Sequence, residues 1–284
     1  MAGPRIVAEG LGFTEGPVWT RDGRLLVTSI DHGVIYEVEA GGGARVLAET
    51  GGGPNGMTEG ADGALYVAQN GGIFGANSRS RRPAAPGIQA VVGGGVRYLA
   101  EGLGAPNDLC FGPDGRLYFT DPRGWARPDD LPPGRVYTLA LGGAPELLAE
   151  GPAFTNGIAF APDASRLYVA ETFGRRVLVY PLRDGALGEP EEFCTIEPGM
   201  PDGMCFDANG LLYVAATVAE DVQVFDAEGA CVARLGCGEN SMVTNCCFGG
   251  GNGTTLYATD SRQGRVLAFE LGVRGLPLFP FRPS

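Results

Sequence analysis

NDLCFGPDGRLYFTD, residues 107–121, reads as two short apolar runs joined by the turn Pro113-Asp114-Gly115, the composition of a β-hairpin. The same pattern recurs along the chain. EGPVWTRDGRLLVTS starts at Glu15, NGMTEGADGALYVAQ at Asn55, NGIAFAPDASRLYVAE at Asn156, DGMCFDANGLLYVAA at Asp202 and NCCFGGGNGTTLYATD at Asn245. Residues aligned with Tyr118 are Leu26, Tyr66, Tyr168, Tyr213 and Tyr257, about 40 to 52 residues apart. Two further strand-like runs follow each copy, such as RVYTLAL and PELLAE after the hairpin at 107–121. Six repeats of four strands with this period predict an all-β chain, a six-bladed β-propeller with four antiparallel strands per blade. No helical spacing of apolar residues is sustained, which counts against α/β barrels.

A second periodicity closes the ring. Ala48, Ala100 and Ala149 each end an outer run seven residues before the next hairpin, and Ala8 in PRIVAE stands seven before Glu15. The first run therefore has no blade of its own. It is expected to complete the last one beside RVLAFEL at 265–271, leaving no free sheet edge. Residues 1–284 are then a single propeller domain. The 48 glycines and 21 prolines of this 284-residue chain fit the reading, because hairpin turns need residues that long helices reject.

The formal charge of -12 argues against nucleic acid and anionic membranes as partners. No apolar run is long enough to span a bilayer, and MAGPRIVAEG lacks the form of a secretory signal. Seven cysteines without a CxxC pair read as reduced thiols. Together these predict a cytoplasmic, monomeric protein acting on a small molecule.

The residues that open the repeats, Glu15, Asn55, Asn107, Asn156, Asp202 and Asn245, are all carboxylates or carboxamides. In a propeller the starts of the innermost strands converge at one mouth of the central channel. Asn and Asp before Gly also suit turns, but that does not account for Glu15 or for Asn107 followed by Asp108. Clustered oxygen donors with two acids suit one divalent cation, Ca²⁺ foremost, with Mg²⁺, Mn²⁺, Zn²⁺ and Fe²⁺ also admitted. His32 is the sole histidine, so an imidazole zinc site is excluded, and no GxSxG elbow supports a serine triad.

The segments TEGPVW, APNDLCFGPDGRLYFTDPRGW, FTNGIAFAPD and MPDGMCFDANG resemble the senescence-marker-protein/gluconolactonase/luciferin-regenerating-enzyme family, most closely its bacterial sugar-lactone hydrolases. The resemblance spans nearly the whole chain. It implies a six-bladed propeller that holds one divalent metal through Glu15, Asn156 and Asp202, with Asn107 beside it, and that opens lactones without a covalent nucleophile. Asp202 would be the catalytic base. Animal members carry an arginine two residues before the equivalent of Asn107; here Ala105 stands there, so their polyol contacts do not transfer.

Loops after the second strand of each blade should return to the same mouth. They offer Asp121 and Trp125 as substrate contacts, alongside Asn55 and Asn107, and His32 as a solvated or supporting residue. Asp121 before Pro122 is equally suited to a turn. The repeated tyrosines and Cys110, Cys205, Cys246 and Cys247 are expected in the core. Another metal-dependent esterase or phosphotriesterase, an isomerase or cyclase, and a propeller that only binds a ligand are the open alternatives.

Overall fold

The computed structural model describes residues 3–74, 79–124 and 130–280. The predicted hairpin forms as read: Leu109–Phe111 pairs antiparallel with Leu117–Asp121, placing Cys110 opposite Tyr118. Asp114 builds the turn by accepting from the Arg116 N–H at 3.2 Å, and Gly115 has the left-handed φ of +75° that the turn requires. The Tyr118 hydroxyl donates to the other oxygen of Asp114 at 3.0 Å. The same carboxylate thus shapes the turn and satisfies a buried phenol.

Six separate sheets follow one another along the chain, and their innermost strands line the channel. Those strands are Thr14–Trp19, Pro54–Glu59, Leu109–Phe111, Thr155–Phe160, Met200–Phe206 and Val243–Gly249. Five of the sheets have four strands, in sequence order from the axis outward in the first, second, third and fifth blades. The sixth is completed by Arg5–Ala8, which pairs with Arg265–Glu270, so the N-terminal strand closes the ring as expected. Blade four departs from the pattern. Its third strand, Arg176–Arg183, pairs with both Ala186–Leu187 and Glu191–Thr195. The cause is local: Asp184 and Gly185 both have positive φ, the signature of a two-residue hairpin turn that folds the outer edge back on itself.

Blades are glued by a repeating aromatic contact. The second-strand tyrosine of one blade meets the inner-strand aromatic of the next: Tyr66 with Phe111 at 5.1 Å, Tyr118 with Phe160 at 4.9 Å, Tyr168 with Phe206 at 5.1 Å and Tyr213 with Phe248 at 5.1 Å. Tyr257 with Trp19 at 5.8 Å continues the series across the closure. Each such pair is worth about 0.5–1.5 kcal/mol beyond the area it buries. Between blades one and two the place of the tyrosine is taken by Leu26, in an aliphatic cluster with Met57 and Val67.

Candidate metal and substrate site

The start of the innermost strand is distorted in a regular way in five of the six blades. Pairing with the second strand is interrupted by a bulge between Glu15 and Val18, Pro54 and Met57, Thr155 and Ile158, Pro201 and Met204, and Val243 and Asn245. A bulge re-aims side chains, and here it takes Asn55, Asn156, Asp202 and Thr244 out of the ladder at the channel mouth. Hydroxyls of neighbouring blades then brace the backbone. Thr28 donates to the Asn55 carbonyl at 2.7 Å, Thr120 to that of Asn156 at 2.6 Å, and Thr172 to that of Pro201 at 2.9 Å. Thr244 and Ser261 donate to the Thr14 carbonyl and tie the last blade to the first.

The register corrects the expected ring at one position. Val18, Thr58, Cys110, Ala159 and Cys205 stand three residues after the opening residue of their strands. Of these, Thr58, Cys110, Ala159 and Cys205 pair with the tyrosines, and Val18 with Leu26. In blade six the residue opposite Tyr257 is Cys247, so the equivalent of Glu15 is Thr244 and Asn245 stands one place later. The sixth copy is one residue shorter between its oxygen donor and its phenylalanine, which hid the slip. Asn245 therefore shares its register position with Asp108 and with Gly16, Gly56, Gly157 and Gly203.

That second tier explains its own glycines. A Cβ on Gly56 would run into Asp108 Oδ1, and one on Gly203 would run into the carboxamide of Asn245. The missing side chains leave the space that Asp108 and Asn245 fill. Sequence reasoning did not assign Asp108 to the site, although the signal was present: it breaks a column of glycines.

Three carboxylates consequently share the mouth, and all are buried: Glu15, Asp108 and Asp202. Glu15 Oε2 accepts from the Gly16 N–H at 3.1 Å and from Asn245 Nδ2 at 3.2 Å. Burial, with Asp108 adding, nonetheless pushes its carboxyl up to about 8. Burial raises Asp108 to about 6 against a stabilising N–H from Leu109 at 2.9 Å. Asp202 is raised well above the usual carboxylate range by burial first, then by Glu15 and Asp108. Among the described residues no arginine or histidine pairs with any of the three. Like charges this close cannot all ionise without a cation.

The carboxamides point the same way. Asn156 donates through Nδ2 to Thr172 at 3.1 Å, while its Oδ1 is buried without a hydrogen-bond donor, as is Asn55 Oδ1. Orphaned buried acceptors beside uncompensated carboxylates fit an oxygen-seeking divalent cation. Among the described residues no three His, Cys, Asp or Glu side chains alone meet in a metal-holding arrangement, so the asparagine oxygens are needed to complete a donor set.

The remaining candidates sort by what they touch. Asp121 is fully engaged by backbone, accepting from Gly104 at 2.8 Å, Ala105 at 2.7 Å and Arg123 at 2.9 Å. Its register neighbours do the same work in other blades: Gln69 accepts from Gly53, Glu171 from Ala153 and Asp260 from Met242. Asp121 thus holds the turn that leads into Asn107, whose N–H donates to the Thr120 carbonyl and whose carbonyl accepts from the Gly56 N–H at 2.7 Å. Trp125 lies outside the described residues. His32, in the loop after the second strand of blade one, is hydrogen-bonded through Nδ1 to the Tyr36 hydroxyl at 2.8 Å. Cys205, Cys246 and Cys247 are buried and Cys110 half-buried. Behind the carboxylates the channel widens into an apolar cavity of 410 Å³, lined by Val18, Met57 and Phe111 among others and crossed by Gly275–Phe279. The Leu276 N–H donates to the Phe206 carbonyl there.

Residues 13–270 match the SMP-30/Gluconolactonase/LRE-like region. A gluconolactonase of Zymomonas mobilis is 28% identical over 291 residues, covering 91% of this chain and 79% of its own. Pentonolactonase XacC of Haloferax volcanii is 29% identical over 263 residues, covering 90% and 84%. The structure of a calcium-binding protein, regucalcin, from Agrobacterium tumefaciens superposes with a TM-score of 0.79 at 22% identity over 98% of this chain and 96% of that one, a likeness of fold. With the match extending across all six blades, this chain belongs to the SMP-30/gluconolactonase/LRE-like family.

Proposed function

We propose that the protein is a metal-dependent lactonase that opens sugar lactones to hydroxy acids. The observation that carries the reading is the meeting of buried, uncompensated carboxylates with orphaned asparagine oxygens at one channel mouth. Family membership and the two lactonase relatives support the same chemistry.

Glu15, Asn156 and Asp202 would hold the cation, with Asp108 adding negative charge behind them. A divalent cation bound there supplies Lewis acidity to the lactone carbonyl and to water. The chain's own part is to bind, orient and move protons. Asp202 accepts the proton of the attacking water as the new C–O bond forms, and returns it to the ring oxygen as the old C–O bond breaks. Asn55 and Asn107 orient the carbonyl and ring hydroxyls through their amides. Asp121 serves indirectly, by fixing the turn before Asn107.

Proton release from aldonolactones, followed with a pH indicator, tests the reading. It should vanish with chelator, return with Ca²⁺ or another divalent ion, and be lost in Asp202→Ala. Turnover that survives chelator, or full activity in that variant, refutes it.

A further inference from the structure

Three aromatic rings from three separate segments meet beside Asn156. Phe154 lies in the connection entering blade four, Phe173 follows that blade's second strand, and Phe74 comes from the loop after the second strand of blade two. Phe154 stands 5.5 Å from Phe74 and 5.3 Å from Phe173, ring centre to ring centre. Phe154 itself is buried and holds a φ of +63°, a conformation that bulky side chains rarely adopt. The Thr172 N–H donates to its carbonyl at 3.1 Å and stabilises this geometry. Phe74 and Phe173 stay half-buried, with the anchored ring between them. Thr172, directly before Phe173, accepts the Asn156 amide, so the rings are one hydrogen bond away from a proposed ligand of the cation.

We propose that Phe74 and Phe173, braced on Phe154, form a stacking wall that selects an uncharged lactone ring presenting a C–H face. The proposal rests on the lactonase reading and names its substrate class. A hydrocarbon face gains contact area against the rings, and polarised C–H bonds suit the negative face of an aromatic. A phosphate or carboxylate on the ring gives up hydration against a wall that carries no compensating charge. The wall positions the ring over the carboxylates; it takes no part in the bond changes.

The experiment compares the full-length protein with Phe74→Ala and Phe173→Ala on an aldono-1,5-lactone and on its 6-phosphorylated counterpart. The native protein should prefer the neutral ring by at least about tenfold in kcat/KM. Each alanine variant should raise KM about tenfold, the factor that ~1.4 kcal/mol of lost contact produces, with kcat little changed. Phe173→Tyr should restore KM. Binding of the metal alone, measured by calorimetry, should match the native protein in all variants, which separates a wall from a disturbance of Asn156. Unchanged KM in both alanine variants, or equal use of the phosphorylated ring, overturns the proposal while leaving the lactonase reading intact. If the native protein opens no lactone, the lactonase reading fails and a hydrolysis-resistant aldonolactam becomes the probe. Weaker lactam binding in the variants then supports the wall, and equal or absent binding to the native protein overturns it.

Discussion

Replacing Glu15 by Gln should stabilise the cation-free protein at neutral pH. The Glu15 carboxyl has an ordinary value of 4.5 and is pushed up to about 8 by burial, with Asp108 adding. In the unfolded chain it is ionised from about pH 4.5 upward; in the folded protein it stays protonated until about 8. A raised carboxylate therefore lends stability below its unfolded pKa, and that stability is lost as pH rises through the folded value. Each pH unit costs about 1.4 kcal/mol. Over the roughly 2.5 units from 4.5 to 7 the loss is about 3 kcal/mol from this residue, and Asp108 and Asp202 add to it in the same direction. Gln keeps an oxygen to accept from Gly16 and Asn245 but has no charge to bury. Thermal unfolding in chelator, read from pH 4.5 to 9, is the assay. The variant should melt about 6 °C above the native protein at pH 7, at about 2 °C per kcal/mol for a chain of this size, and the two should converge near pH 4.5. Divalent cation at about a thousandfold excess over Kd should reverse the order, since only the native set is stabilised by binding, by about 4.1 kcal/mol there against the variant's lead of about 3. A flat native profile, or a variant whose curve parallels it, would refute the electrostatic account of the site.

Two further outcomes follow from the geometry. Gly56→Ala places a methyl against Asp108 Oδ1 and the backbone of blade three, so we expect a loss of about 1–3 kcal/mol in urea unfolding together with weaker cation binding by calorimetry. Asp121→Ala removes an acceptor shared by three backbone N–H groups. It should cost on the order of 2–3 kcal/mol in the same unfolding assay and leave cation binding within about twofold, whereas a direct substrate contact would show as a KM effect at unchanged stability.

The propeller was legible because its information is local. Each hairpin carries its own turn residues and its own alternation, and sixfold recurrence at a fixed period leaves little else that such a chain can form. The glue between blades was half legible: the tyrosines could be read as core, but their partners Phe111, Phe160, Phe206 and Phe248 become partners only when blades pack side by side. The oxygen donors at the mouth were readable because repeat position maps onto radial position, and that mapping failed once, at Asn245, where a one-residue contraction moved the side chain to the next tier.

What the sequence by itself determined is the all-β repeat, the closing strand at Arg5–Ala8 and five of the six residues aligned at the openings of the innermost strands. These depend on hydrogen bonds and side-chain periods within about fifty residues. Only the tertiary structure decided that Asp108 completes a carboxylate trio, that Asp121 braces backbone, and that Phe74 reaches Phe154 and Phe173 across an intervening blade. Charge coupling, burial and ring contacts depend on distances between segments far apart in the chain, which local sequence does not encode one segment at a time.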